Sequence, residues 1–285
     1  MALAYERVGN GPPLVLLHPL GADRHVWDPV LDLLSERREV IAFDLPGFGE
    51  SPTLAQRPTP SALASAVAAE IATLEIERPH VAGNSLGGWL ALELGLRGAV
   101  RTITAIAPAG LWPQPLVPKA AIAHRMARAL LPVTGPAART SAGRRLLLGS
   151  SVAHPGRVPG AQAAHLVRAY ATAPGFREVN DAMRAGRFEG LERIRCPTTL
   201  VWPERDRLIE RPPWVPDRIR NVELPDSGHI PMWDAPEAVA QVLIDASIGR
   251  DGRGAATPGE TPGQPLRPTA ASSSARASAS PRRSV

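Results

Sequence analysis

The chain has 285 residues, 44% hydrophobic and 21% charged, which suits a globular protein large enough to bury one substantial core. Its single cysteine, Cys196, excludes an intrachain disulfide and a cysteine-based metal cluster. The net charge of +5 is unevenly spread: residues 1–107 and 191–248 together carry −7, residues 108–190 carry +8 and residues 249–285 carry +4. This describes an acidic body, a basic insertion and a basic tail, and no nucleic-acid motif accompanies the basic segments, so nucleic acid is not an expected partner.

Charges at Glu6 and Arg7 precede any apolar run, and no run approaches bilayer length, so a cytoplasmic protein without a membrane partner is expected. Leu3 to Val8 reads as a short leading strand, followed by a turn at Asn10-Gly11-Pro12-Pro13. Leu14-Val15-Leu16-Leu17 is a continuous apolar run, as expected of a strand buried on both faces of a parallel sheet. The loop His18-Pro19-Leu20-Gly21 leads to a helix around Trp27, Val30, Leu31 and Leu34. Val40 to Phe43 is the next buried strand and ends in Asp44-Leu45-Pro46-Gly47-Phe48-Gly49-Glu50-Ser51. Thr59-Pro60 predicts a helix start, threonine capping and proline in the first turn, with Leu63, Val67, Ile71 and Leu74 along one stripe. A strand through His80 to Asn84, a helix from Trp89, and a strand over residues 102–107 follow. This alternation predicts an α/β fold with a mostly parallel sheet.

The rhythm stops at Pro108. Residues 108–190 read as a helical insertion between two strands of one sheet, with helices over residues 120–131, 144–148, 162–171 and 176–185. Ile122, Met126 and Leu130 form a helical stripe in the first of them. The α/β pattern resumes over residues 191–248, with strands at 199–202 and 221–224 and a final helix through Val239, Val242, Leu243 and Ala246. Residues 249–285, rich in Pro, Ser, Ala, Gly, Thr and Arg, bury too little apolar surface to order themselves and are expected to be disordered. Cys196, ahead of a strand, is expected to be a buried structural thiol.

Gly83-Asn84-Ser85-Leu86-Gly87 organises the chain. The G-x-S-x-G pattern places a serine on a sharp strand-to-helix turn, with small neighbours so that strand and helix can approach. A serine hydroxyl needs a base within hydrogen-bond reach and a third group to orient that base. Asp206, in Pro203-Glu204-Arg205-Asp206-Arg207, follows one later strand, and His229, in Asp226-Ser227-Gly228-His229, follows the next. Glu204 competes with Asp206, and His18 with His229, since each ends a strand at the same sheet edge. Asp44 is a third acid, with capping of the Gly47–Gly49 turn as its simpler role. His25, His80, His124, His154 and His165 read as surface or packing residues.

On these motifs the chain resembles the α/β-hydrolase superfamily of serine hydrolases with a helical cap, over roughly residues 3–248. The resemblance rests on His18-Pro19-Leu20-Gly21, the 44–51 loop, Gly83 to Gly88, Trp202 to Asp206 and Gly228-His229. It implies Ser85 as nucleophile, Asp206 as orienting acid, His229 as general base, and the Leu20 and Leu86 amides as oxyanion donors. It also implies residues 108–190 as a cap, and neither cofactor nor metal. Pro19 departs from the family's usual glycine, and the short leading β-region predicts one edge strand fewer than usual. Serine at the elbow argues against the branches that use aspartate there, dehalogenases and epoxide hydrolases.

The reaction expected is cleavage of a carboxylic ester of a small or medium apolar acyl group, with Trp89, Trp112 and Trp233 as candidate pocket walls. The alternatives are hydrolysis of C–C bonds in carboxylated ring-fission products, and a non-catalytic small-molecule-binding protein on the same fold. An inward-facing arginine of the insertion would favour a carboxylated substrate.

Overall fold

The structure, a computed structural model, describes residues 1–117 and 122–248. Its sheet has seven strands: β1 (Tyr5–Val8), β2 (Pro13–Leu17), β3 (Glu39–Phe43), β4 (His80–Asn84), β5 (Thr102–Ile106), β6 (Thr198–Pro203) and β7 (Arg220–Leu224). Their order is β1-β3-β2-β4-β5-β6-β7, and only β1 runs antiparallel to its neighbour. One short strand precedes β2, as the brief leading β-region predicts.

The buried strands read as apolar runs because both faces are covered. Val15 and Leu17 of β2, and Ile41 and Phe43 of β3, enter one core layer; Leu14, Leu16, Val40 and Ala42 enter the other. The first layer is closed by α2 (Pro60–Thr73) and α3 (Leu86–Leu96), through Leu63, Val67, Leu90 and Leu94. The second is closed by α1 (Asp28–Ser35) and α9 (Pro236–Ile248), through Val30, Leu34, Val239 and Leu243. This is the expected α/β class, a sheet between two helical layers. Thr59 caps α2 by accepting from the Ala62 amide at 3.2 Å, with Pro60 in the first turn.

Between β5 and β6 the described residues form five further α-helices: α4 (Ile122–Ala129), α5 (Leu131–Ala138), α6 (Ser141–Leu148), α7 (Gly160–Thr172) and α8 (Phe176–Arg184). The helix expected over 120–131 is α4, and α5 is an additional helix that begins at its end. Pro132 enters the first turn of α5, where its missing N–H breaks no helical bond, so a new helix starts there. The stripe of Ile122, Met126 and Leu130 does not pack as core; all three are exposed. Lys119, Ala120 and the segment 249–285 lie outside the described residues. Among those described, no helix is long and apolar enough to cross a membrane.

Candidate active site

The chain leaves β2 toward β3 on one side and leaves β4 toward β5 on the other. The carboxyl ends of β2 and β4 therefore flank the point where the winding reverses, which is where an open α/β sheet leaves a crevice. Residues 18–21 and Ser85 both emerge there.

Ser85 has φ +54° and ψ −112°, a backbone state that costs a residue with a side chain roughly 1–3 kcal/mol. The turn is pinned on three sides. The Ser85 amide donates to Ile106 O at 2.8 Å, and the amides of Trp89 and Ala109 both donate to Ser85 O at 3.0 Å. A Cβ on Gly83 would stand 2.1 Å from Gly87 O, and one on Gly87 would stand 2.1 Å from Leu17 O. Both glycines are therefore required by contact, not by composition. Leu86 opens α3, so its N–H has no intrahelical acceptor. Among the described residues neither Leu20 nor Leu86 donates its amide to a protein acceptor.

Asn84, beside Ser85, donates its side-chain amide to Ile106 O (3.1 Å) and His229 O (3.0 Å), fastening the histidine loop to the elbow. His229 Nδ1 lies 2.8 Å from Asp206 Oδ2, and both side chains are almost fully buried. Asp206 Oδ1 accepts from the amides of Leu208 (2.7 Å) and Ile209 (3.1 Å), which fixes the carboxylate in its own loop. With Nδ1 donating to Asp206, Nε2 of His229 is left as the acceptor.

The competitors are otherwise engaged. Glu204 accepts from the Asp226 amide at 2.7 Å, so it orders the histidine loop without meeting the ring. His18 is fully buried; its Nε2 accepts from the Leu45 amide (2.9 Å) and its Nδ1 faces Pro19 O (2.8 Å). Both ring nitrogens serve the backbone. Burial holds the His18 pKa below its ordinary range, against the pull of Pro19 O, Asp44 and Asp23. Asp44, fully buried, accepts from the amides of Arg24 (2.7 Å) and Glu50 (2.9 Å) and pairs with the Arg24 guanidinium. A Cβ on Gly49 would stand 2.2 Å from Asp44 Oδ2, so the carboxylate fills the turn it caps.

The insertion reaches the same loops. A Cβ on Gly21 would come within 2.5 Å of the Tyr170 ring and 3.2 Å of the Phe176 ring, so α7 and α8 lie directly over the loop after β2. His124 stacks on Phe176 (centroids 4.3 Å apart, planes at 3°), and its Nε2 is buried without a partner among the described residues. Burial, aided by the Arg128 charge, lowers the His124 pKa. Asp234 ties insertion to core. It accepts from the amides of Ala153 (2.9 Å), His154 (2.7 Å) and Gly228 (2.8 Å). Sequence reasoning missed both Asn84 and Asp234 as positioning residues, and only the folded contacts single out Asp234.

The remaining candidates are structural. His80 Nδ1 lies 2.8 Å from Thr102 Oγ1, His165 pairs with Asp23 at 2.7 Å, and His154 with Asp226 at 2.9 Å. Trp89 and Trp112 pack edge to face at 5.8 Å in one core layer, and Trp233 packs against the other. Cys196 is partly buried, and desolvation raises its thiol pKa. Among the described residues, one group, Glu6, His25 and Asp28, gathers three candidate metal-ligand atoms within 4.8 Å of one another. It belongs to the edge strand and the approach to α1, not to the loops around Ser85.

A sequence profile described as "Alpha/beta hydrolase family" matches residues 14–242. A pimeloyl-[acyl-carrier protein] methyl ester esterase of Aeromonas hydrophila subsp. hydrophila is 40% identical over 96 residues, 34% of this chain and 37% of that protein. The chain thus spans little more than a third of the length of that relative. The epoxide hydrolase EphH of Mycobacterium tuberculosis is 31% identical over 204 residues, 64% of this chain and 91% of that protein. The crystal structure of a bacterial membrane phospholipase A superposes with TM-score 0.68 at 29% identity, covering 85% of this chain and 82% of that one.

Proposed function

The chain belongs to the alpha/beta hydrolase family, and from that premise we propose that it cleaves a carboxylic ester, or a similar acyl bond, through an acyl-enzyme on Ser85. The supporting observation is the buried 2.8 Å contact between Asp206 and His229, carried on a loop that Asn84 fastens to the elbow. His229 Nε2 takes the Ser85 proton as Oγ attacks the substrate carbonyl carbon, while Asp206 holds the ring and stabilises the imidazolium. The Leu20 and Leu86 amides receive the tetrahedral oxyanion, each such donor being worth about 10²–10³ in turnover. Collapse expels the alcohol, protonated by His229, and a water activated by the same ring then frees the acid and Ser85.

The esterase relative favours this bond type. Serine at position 85, where the resemblance puts aspartate in epoxide hydrolases, is the reason not to follow the EphH relative. In this reading residues 108–190 act as a cap over the crevice, and the substrate is a small molecule with an apolar or carboxylated acyl group.

The test is labelling by a fluorophosphonate, with turnover of p-nitrophenyl esters and carboxylated dienones. Wild type should be labelled and hydrolyse esters. Ser85→Ala should lose the label and about 10⁴-fold or more in kcat. Wild type that binds ester substrate yet neither reacts with the probe nor turns over would overturn the reading in favour of a non-catalytic binder. Cleavage of the dienone alone would move the reaction to C–C hydrolysis.

A further inference from the structure

The end of α6 and the loop after it face the loops that hold Asp206 and His229 across a cavity of about 210 Å³, with room for about seven waters. Its charged lining is Arg145 from the insertion and Arg205 and Arg207 from the core. Ser150, Ser151 and Gly228 are among the rest of the wall, and no acidic residue lines it. Arg205 is paired with Asp226 at 2.7 Å. Arg145 donates only to Ser141 Oγ (3.1 Å), and Arg207 has no carboxylate partner among the described residues. Asp234 is not among the lining residues, and its carboxylate accepts from the Ala153, His154 and Gly228 amides.

A second cleft makes the contrast plain. The larger cavity of about 610 Å³ between the loop after β3 and α8 also holds an arginine, Arg57, but Glu178 and Asp181 stand in the same wall and cancel it. In the smaller cavity Arg205 is offset by Asp226, but Arg145 and Arg207 line the same wall with no carboxylate partner among the described residues. The carbonyls at the end of α6 oppose an anion only weakly beside the two unpaired guanidinium charges. Guanidinium forks and serine hydroxyls together match the oxygens of a phosphate or carboxylate.

We propose that this cavity is a binding site for a small oxyanion, a phosphate or carboxylate, that bridges Arg145 to Arg205 and Arg207. The bound anion joins α6 to the two loops that carry Asp206 and His229, since Arg205 and Arg207 flank the first and Gly228 precedes the second. It belongs either to the far end of a substrate or to a free ion. The site does not depend on the ester reading, because anion binding is read without turnover.

The experiment is calorimetric titration of the full chain with inorganic phosphate at low ionic strength. Wild type should bind in the millimolar range or tighter, and the double variant R145Q/R207Q about tenfold or more weakly. Arg187→Gln, an arginine of the insertion outside the cavity, should bind like wild type. If the double variant fails to fold, Arg207→Gln alone gives the same comparison. Kinetics with neutral p-nitrophenyl butyrate and carboxylate-ended mono-p-nitrophenyl glutarate separate the sources. Competition by phosphate against the glutarate ester alone, with its KM raised selectively in the variant, assigns the site to a substrate's anionic end. An equal effect of phosphate on both esters, lost in the variant, assigns it to a free anion. No phosphate binding below about 10 mM, or binding unchanged in both variants, overturns the proposal.

Discussion

Every residue of β4 and β5 is buried, whereas α4 in the insertion has no buried side chain among its described residues. The sheet is held throughout by packing on both faces. The insertion is uneven: Phe176, Val179 and Met183 of α8 join one sheet core and Leu148, Ala163 and Leu166 join the other, with Gly175 N donating to Gly47 O (2.9 Å) and Asp234 and Asp23 reaching across, while α4 adds nothing to either core. Even its arginines are partly spent on backbone, Arg184 on Val117 O, Arg187 on Pro113 O, and Arg144 on Ala138 O and Gly156 O. A region fixed by continuous packing resists any change of volume. A helix such as α4, which buries no side chain, tolerates change along its whole exposed face.

That contrast is sharpest at Gly87. A methyl there meets the Leu17 carbonyl, backbone that cannot yield, so Gly87→Ala should cost more than about 4 kcal/mol in denaturant unfolding. A near-neutral result would break the picture of a rigid elbow. Next is Asp44→Ala, which leaves the Arg24 guanidinium to Glu50 alone and removes the acceptor of the Arg24 and Glu50 amides. A loss of about 3 kcal/mol is expected, measured in the same way.

Among the insertion's anchors, the Asp23–His165 pair should give a smaller and pH-dependent effect. The Asp23 hydrogen bond raises the His165 pKa against burial, so that contribution is full below the ordinary value of 6.5 and fades as pH rises through the raised one. For Asp23, burial works against the charge, but the hydrogen bond and charge of His165 outweigh it and leave the pKa lowered. That contribution is present above the ordinary 3.8 and is lost as pH falls through the lowered value. His165 is 43% exposed, so solvent screening limits the pair, and His165→Gln should cost about 0.5 kcal/mol near pH 5.5 and less near pH 8. Equal losses at both pH values would remove electrostatics from this anchor. Smallest of all, Met126→Gln on the exposed face of α4 should move stability by less than about 0.5 kcal/mol. A larger loss would mean that α4 is packed like the core.

The sheet was legible in the sequence because its strands are apolar on both faces, and runs such as Leu14 to Leu17 have few other readings. The insertion was legible only as helical. Pro132, Gly135 and Pro136 look like breakers in a linear reading, yet α5 accommodates Pro132 in its first turn and Pro136 within the helix. The amphipathic stripe of α4 signalled helix and was silent on burial, because periodicity describes a helix's faces and not what lies against them.

By itself the sequence determined the order of strands and helices, the strained turn at Ser85 and the short set of residues able to serve it, since each rests on local sterics and hydrophobic period. Only the tertiary structure decided which acid reaches which imidazole. Asp206 rather than Glu204 meets His229, and His18 is committed to backbone, because partners 22 to 27 residues apart on separate loops are chosen by how those loops close over one sheet edge. The convergence of Arg145 with Arg205 and Arg207 has the same origin: charges 60 residues apart in the chain become one cavity wall only when the insertion folds back onto the core.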